Sequence, residues 1–413
     1  MTTVPLRRNR DFLLLQTGLL VSSAGSQMTA IAYPLLVLAL TGSPAKAGIV
    51  AFVRLLGMAL LALPAGLAAD RWDRRRLMIG AHAVRALAIG GLGVLIVLDQ
   101  VVWWAVPLVA FVEGGGASVF SAAQAGALRA VVPVRQLPTA AAVVTGREGA
   151  VSAASPALGG VLFGVSRALP FLVHAVLYVF SACALLAMRT PFQEERVVDR
   201  SPVRKRLAEG FRFLWDHPFL RVCALLFGLA NFVGPGVLLA IVVIGDEQGL
   251  TSGEVGLLLS AFGACVLLGA FLSPLVRRRL SVRAVLLLEL WTWVGCGAFL
   301  VWPNVYVLTA SILPTALAIP STDSVVNGYQ LAMTPDRLQG RVASVRSMIA
   351  LAIAPLGPLT AGFLLDVTSE RATIAVFAAV GLVLALWGTL SPSIRAAPSL
   401  SELADLPEPA AAR

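Results

Sequence analysis

A chain of 413 residues that is 58% hydrophobic and only 13% charged, with a mean hydropathy of +0.85, falls well below the roughly 25% charge of soluble globular domains. The net charge of +10 would suggest a polyanion partner in a soluble protein, but no basic face interleaved with aromatics supports nucleic-acid binding. In a membrane protein the same excess collects in cytoplasmic loops, and repeated apolar stretches of 18 or more residues point to spans.

The N-terminal "RRNRDFLLLQTGLLVSSAGS" has the outline of a signal peptide. The apolar character resumes in "MTAIAYPLLVLAL", so a retained first helix is expected. Twelve apolar segments follow in order, at about 11–40, 45–69, 77–98, 102–126, 138–165, 170–189, 219–244, 253–276, 282–302, 305–331, 340–365 and 372–392. Backbone satisfaction in lipid makes them α-helices, since a barrel would show short alternating strands.

Loop charge sets the orientation. Arg7, Arg8 and Arg10 precede span 1, Arg71 and Arg74 to Arg76 follow span 2, and Arg129 and Arg135 follow span 4. Arg277 to Arg279 and Arg283 follow span 8, and Arg337 and Arg341 follow span 10. The alternate loops carry only Lys46, Arg167 and Arg371 as positive charge. Both termini are therefore expected in the cytoplasm of a bacterial cell, with the chain in its plasma membrane.

The expected organisation is a six-helix bundle over 1–189, a cytoplasmic linker over 190–218, a second bundle over 219–393 and a disordered tail over 394–413. In the linker, "VRKRLAEGFRFLWDH" places Leu207, Phe211 and Leu214 at helical spacing among basic residues, which suits a short helix on the inner membrane surface. Cys183, Cys223, Cys265 and Cys296 form no CxxC and read as small core residues. His82, His174 and His217 are scattered, so no metal site or cofactor is expected.

The halves echo each other. "PVRQLPTAAAV" at Pro133 and "PDRLQGRVASV" at Pro335 lie 202 positions apart, as do Pro156 and Pro358, and Gly160 and Gly362. Gly66 and Arg74–Arg76 recur 203 positions on as Gly269 and Arg277–Arg279. A six-span unit repeated in parallel is a transporter plan, with its substrate site near the membrane midplane.

Residues 66–76, "GLAADRWDRRR", hold four arginines and two aspartates. They resemble the signature loop between helices 2 and 3 of the major facilitator superfamily: Gly66, Asp70, Arg71, Arg74 and Arg75 match, while Asp73 stands where glycine is usual. The flanking "LLVLALTGSPAKAG" and "LAEGFRFLWDHPFLR" are similar to the bacterial drug and siderophore exporters of that superfamily, in its macrolide-efflux and enterobactin-exporter-like branch. The resemblance implies twelve transmembrane helices in two pseudo-symmetric bundles and alternating access, with Gly66, Asp70 and the arginines as a conformational latch. Gly66 is expected to let helix 2 approach a neighbour closely. The second copy, "GAFLSPLVRRR", has Ser273 in place of the aspartate, so the latch would be asymmetric. In span 5, "GAVSAASPALGG" resembles the antiporter-associated motif through Pro156, Gly159 and Gly160, with Ser155 replacing a glycine. In span 4, "AFVEGGGAS" departs from the family pattern, with Ala110 at the arginine position and Glu113 at the glutamine.

Ionisable residues within spans are costly and usually functional. Arg54, Glu113, Arg147, Glu148 and Asp323 are the candidates for proton coupling or substrate contact, with Gln27 and Asn231 as polar contacts. Glu289 is a weaker candidate because span 9 is peripheral in the family's architecture, and Arg85 reads as interfacial. A permanent Glu113–Arg147 pair is the structural alternative. No GxxxxGK[ST], HExxH or GxSxG occurs, so ATP-driven or hydrolytic chemistry has no visible basis. The resulting expectation is a non-enzymatic, monomeric exporter of small amphipathic molecules, with protons as coupling ion and membrane lipids as surroundings. An importer or uniporter on the same fold, and a non-transporting receptor or scaffold, are the alternatives.

Overall fold

The computed structural model describes residues 5–190, 192 and 203–397. Twelve of its helices are long and apolar enough to cross a membrane. In chain order they begin with α1 (Arg10–Thr41), α2 (Pro44–Arg71), α3 (Arg74–Val97), α4 (Ala105–Val131), α5 (Leu137–Val165) and α6 (Leu169–Ala187). A non-spanning α7 (Val203–Asp216) precedes α8 (Pro218–Glu247) and α9 (Ser252–Arg279). The ninth span is composite, with α10 (Val282–Trp293) running through a 3-10 stretch into the single turn α11 (Ala298–Val301). Then come α12 (Val305–Met333), an eleventh span broken into α13 (Asp336–Ile353) and α14 (Leu356–Val367), and α15 (Glu370–Leu390). The linker's first part and the tail beyond residue 397 lie outside the described residues.

The boundaries follow local chemistry. Asn9, Ser43, Asp73, Ser281 and Ser369 each accept a backbone N–H of the first turn, which satisfies donors that the helix itself leaves free. Gly42 ends α1 in the left-handed conformation, φ 64°, and so permits a connection of only two residues to α2. Large apolar side chains such as Leu87, Val165, Phe271 and Val383 are exposed on the protein's surface, as lipid-facing positions of a spanning helix require.

Two compact units emerge. The first combines α1 to α6 with residues 242–264, and the second combines the rest of α8 and α9 with α7 and α10 to α15. In the first, α2 packs along α4, and α6 packs against both α1 and α3. A buried apolar cluster of Phe12, Leu15, Met78, Phe120 and Leu185 closes one end of this unit. In the second unit α10 packs on α12 and α15, and α7 packs on α13.

Helix α7 packs on α13 and buries its predicted apolar residues unequally. Leu214 is buried while Phe211 and Trp215 are exposed and stacked on each other, ring centroids 5.1 Å apart. The cause is docking: Gly210 sits against the backbone of Arg341, and Glu209 forms an ion pair with the Arg341 guanidinium. The helix therefore turns one side to α13 and leaves the aromatic pair outward.

Candidate functional site

Four consecutive residues of α4, Glu113 to Gly116, organise the polar centre of the first unit. A Cβ on Gly114 would lie 1.9 Å from the Arg54 carbonyl oxygen, one on Gly115 would lie 2.5 Å from Leu61 Cδ1, and one on Gly116 would lie 2.6 Å from Arg85 Cγ. Only glycine permits all three approaches, and the first two bring α2 against α4 as small residues do in membrane bundles. Gly57 completes the seam from the other side, where a Cβ would lie 2.6 Å from the Phe111 carbonyl oxygen.

That closeness carries two guanidinium groups to one carboxylate. Arg54 Nε donates to Glu113 Oε2 at 2.6 Å, and Arg85 Nη2 donates to Glu113 Oε1 at 2.6 Å. The Tyr178 hydroxyl donates to the same Oε1 at 3.1 Å, and Ser26 Oγ lies 3.5 Å from it. Glu113 is wholly buried and Arg85 is 4% exposed. The Arg85 guanidinium also lies over the Tyr178 ring, 4.3 Å from its centroid, a cation–π contact that holds it in place.

Both histidines of this unit flank Tyr178, with ring centroids 4.9 Å away for His82 and 4.1 Å for His174. His82 Nε2 pairs with Ser181 Oγ and His174 Nδ1 with Thr29 Oγ1, each at 3.0 Å. Gly25 makes room for His174, whose Cδ2 would stand 2.1 Å from a Cβ there. The result is a largely buried polar cluster drawn from α1, α2, α3, α4 and α6. Such a cluster can fix five helices in register, hold a permanent charge away from lipid, and present whatever donors are left over.

Arg54 and Glu113, singled out from the sequence, are thus joined. Arg85 is a correction: it is buried against Glu113 rather than interfacial, because Gly116 gives its side chain a path inward. The Glu113–Arg147 pair is also not formed. Arg147 instead donates to Gln16 Oε1 at 2.7 Å and to Glu148 Oε1 at 3.1 Å. Gln27 is half-buried, and exposed Asn231 donates to the Phe227 carbonyl of its own helix at 2.7 Å. In the second unit Asp323 is exposed and accepts no hydrogen bond from the described residues. Arg346 of α13 donates to Asn327 Oδ1 at 2.5 Å. Glu289 is buried on α10 with no ion-pair partner among the described residues.

The arginine-rich loop divides its labour. Arg74 donates to the Ala69 carbonyl at 3.3 Å and lies against Gly126 of α4. Arg75 donates to the Leu185 and Leu186 carbonyls at 2.8 and 2.5 Å, at the C-terminal turn of α6, where the helix dipole favours a cation. Arg71 and Asp70 are exposed. Gly66 corrects the expected close approach, since a Cβ there would meet nothing within 4 Å.

Pro156 and its glycines lie in a helix contact. A Cβ on Gly159 would stand 2.6 Å from the Met28 carbonyl oxygen, and one on Gly160 would stand 2.1 Å from that of Ser252. Ser252 Oγ donates to the Gly160 carbonyl, and Ala157 N to Ser260 Oγ, both at 2.9 Å. Proline lacks the N–H that would reach the Ser152 carbonyl, and Gly263 packs directly on that carbonyl.

Sequence reasoning missed Tyr178, Ser26 and the role of the glycine run. A carboxylate followed by three glycines inside a span was the available signal.

Comparison with known proteins agrees with this architecture. Two proteins named multidrug efflux pump Tap are similar over nearly their whole length. The one from Mycolicibacterium fortuitum is 27% identical over 401 residues, covering 93% of this chain and 96% of its own. The one from Mycobacterium tuberculosis (strain ATCC 25618 / H37Rv) is 28% identical over 428 residues, covering 96% and 95%. Among solved structures, an inward-facing, occupied bacterial homologue of the human lysosomal transporter Spinster superposes with a TM-score of 0.73 at 13% identity, covering 95% of this chain and 98% of that one. The family model described as transmembrane secretion effector matches residues 1–412. With twelve candidate spans and that match, the chain is a multi-pass membrane transporter of the major facilitator superfamily and belongs to its transmembrane secretion effector family.

Proposed function

We propose that this protein exports small amphipathic molecules across the bacterial plasma membrane by alternating access, as a monomer with both termini in the cytoplasm, driven by protons moving inward. The observation that carries export is the end-to-end similarity to proteins named multidrug efflux pumps. In this reading Asp323 takes up the proton. It surrenders no ion pair or hydrogen bond to a described residue on doing so, whereas protonating Glu113 would strand two arginines. Asp70 and the neighbouring arginines act as the latch of one conformational state. Pro156, Gly159 and Gly160 form a tight contact that limits leakage.

The test uses everted membrane vesicles containing the protein. An imposed proton gradient is expected to drive uptake of a fluorescent amphiphile, and a protonophore to abolish it. Asp323→Asn should retain substrate binding and lose the gradient-driven component. Transport that survives collapse of the gradient removes proton coupling; absence of any uptake removes export.

A further inference from the structure

The cluster around Glu113 is not charge-balanced. Two guanidinium groups meet one carboxylate, and the two histidines beside them can only add positive charge. The other carboxylates on α1 to α6 are engaged elsewhere or lie at a helix end. Asp11 accepts from the Arg189 and Thr190 backbone N–H groups, Glu148 pairs with Arg147, and Asp70 is exposed in the last turn of α2. A buried guanidinium without a full counter-charge is unfavourable, so the distribution of free donors between the two arginines is informative.

Arg85 is enclosed. Its side chain is 5% exposed, its Nη2 serves both Glu113 and Ser26, and its plane is covered by Tyr178. Arg54 is different. Only its Nε is engaged, its side chain is 25% exposed, and its two terminal nitrogens donate to none of the described residues. Arg54 is ten residues along α2 from Pro44, or ~15 Å at the helical rise, which places it deep in the span. An arginine only partly buried at that depth almost always faces a bundle interior or a water-filled cavity rather than hydrocarbon. Met58, one turn further along the same face of α2, is half-buried. The Tyr33 hydroxyl is buried without a hydrogen-bond partner.

We propose that Arg54 receives an anionic group of the transported molecule, a carboxylate or enolate carried on an otherwise apolar body, with its two terminal nitrogens as a planar fork. The fork geometry matches such a group bidentately. Glu113 holds Arg54 by Nε and so presents the opposite edge outward, while Arg85 supplies the second positive charge behind it. This substrate class rests on the export reading above, but binding can be scored apart from transport.

Two xanthene dyes of the same ring system and opposite charge make the test: anionic fluorescein and cationic rhodamine 123. Binding to the full-length protein in lipid nanodiscs is followed by fluorescence polarisation, and uptake of the same dyes by everted vesicles is measured separately. Fluorescein is expected to bind about tenfold more tightly or better, the worth of one charge-assisted contact. Arg54→Gln should remove that preference while leaving rhodamine 123 binding unchanged or improved, and Arg54→Lys should retain part of it. If Arg54→Gln does not yield folded protein, the Lys variant decides: loss of the fork with the charge kept should weaken fluorescein binding and leave rhodamine 123 alone. Failure of the wild type to bind fluorescein, preference for the cation, or an equal loss of both dyes in the variants overturns the proposal. Charge-selective binding without uptake of either dye would uphold the anion site and count against export.

Discussion

Replacing Gly114 by alanine tests whether the glycine run creates the Arg54–Glu113 pair. The added Cβ would lie 1.9 Å from the Arg54 carbonyl oxygen and 2.9 Å from its carbon. Both are backbone atoms, so no rotamer relieves the clash. Carbon and carbonyl oxygen in proteins scarcely approach within 3.0 Å, so α2 and α4 must separate by at least 1.1 Å at this point. Taken along the ion pair, that displacement stretches the 2.6 Å Nε–Oε2 contact to 3.7 Å, outside hydrogen-bonding range. The loss is then a charge-assisted hydrogen bond, about 1.5–3 kcal/mol, in addition to overpacking of about 1–3 kcal/mol. Thermal unfolding of the purified protein in detergent should fall accordingly, and efflux should drop with it. Gly66→Ala, whose Cβ would meet nothing within 4 Å, is the control and should leave unfolding unchanged. Wild-type stability and transport in Gly114→Ala would refute the link between helix approach and ion pair.

Two further substitutions probe the same unit. Glu113→Gln removes the only carboxylate between two arginines and should cost about 3–5 kcal/mol in thermal or denaturant unfolding, the usual penalty for breaking a buried pair. The added change Arg85→Gln should recover part of that loss, and strict additivity in the double-mutant cycle would deny the coupling. Gly160→Ala places a Cβ 2.1 Å from the Ser252 carbonyl oxygen, so it should loosen the α5–α9 contact. A faster passive leak of preloaded dye from vesicles is the measurement, and an unchanged leak rate would remove the sealing role.

Periodicity and charge made the helices legible because lipid imposes one solution on a long apolar run. The N-capping residues, the two-residue turn at Gly42 and the basic loops all lie within a few residues of the features they control. Glu113 and Arg54 were also legible, since charge inside a span is rare whatever its partner. The partnership was not. Arg85 lies eleven residues into α3, ~16 Å along its axis, yet an arginine near the basic end of a span is easily placed at the interface. Its true position depends on Gly116 of another helix. Gly66 erred in the opposite direction: the motif suggested a close approach that the fold places instead at Gly57, Gly114 and Gly115. Whether a glycine is space-making or idle depends on which neighbour passes it, and that information is shared between two helices.

The two charged centres suit different tasks because they respond differently to a change of charge. Around Glu113 the carboxylate is contacted by both guanidinium groups and two hydroxyls, so any proton uptake there would disturb contacts to four side chains on four other helices. Asp323 has no such commitments among the described residues and can change charge while its helix keeps its packing. A fixed centre that retains a free guanidinium edge is suited to recognising an anion; an uncommitted carboxylate is suited to exchanging a proton. If an anion leaves as a proton enters, both charges move favourably through an inside-negative potential. Each is worth about 2.3 kcal/mol per 100 mV, so that the two together gain about 4.6 kcal/mol per cycle. Export of a cation against one proton would move no net charge and gain nothing from the potential. An anion site at Arg54 and a proton site at Asp323 would therefore draw on the same membrane potential.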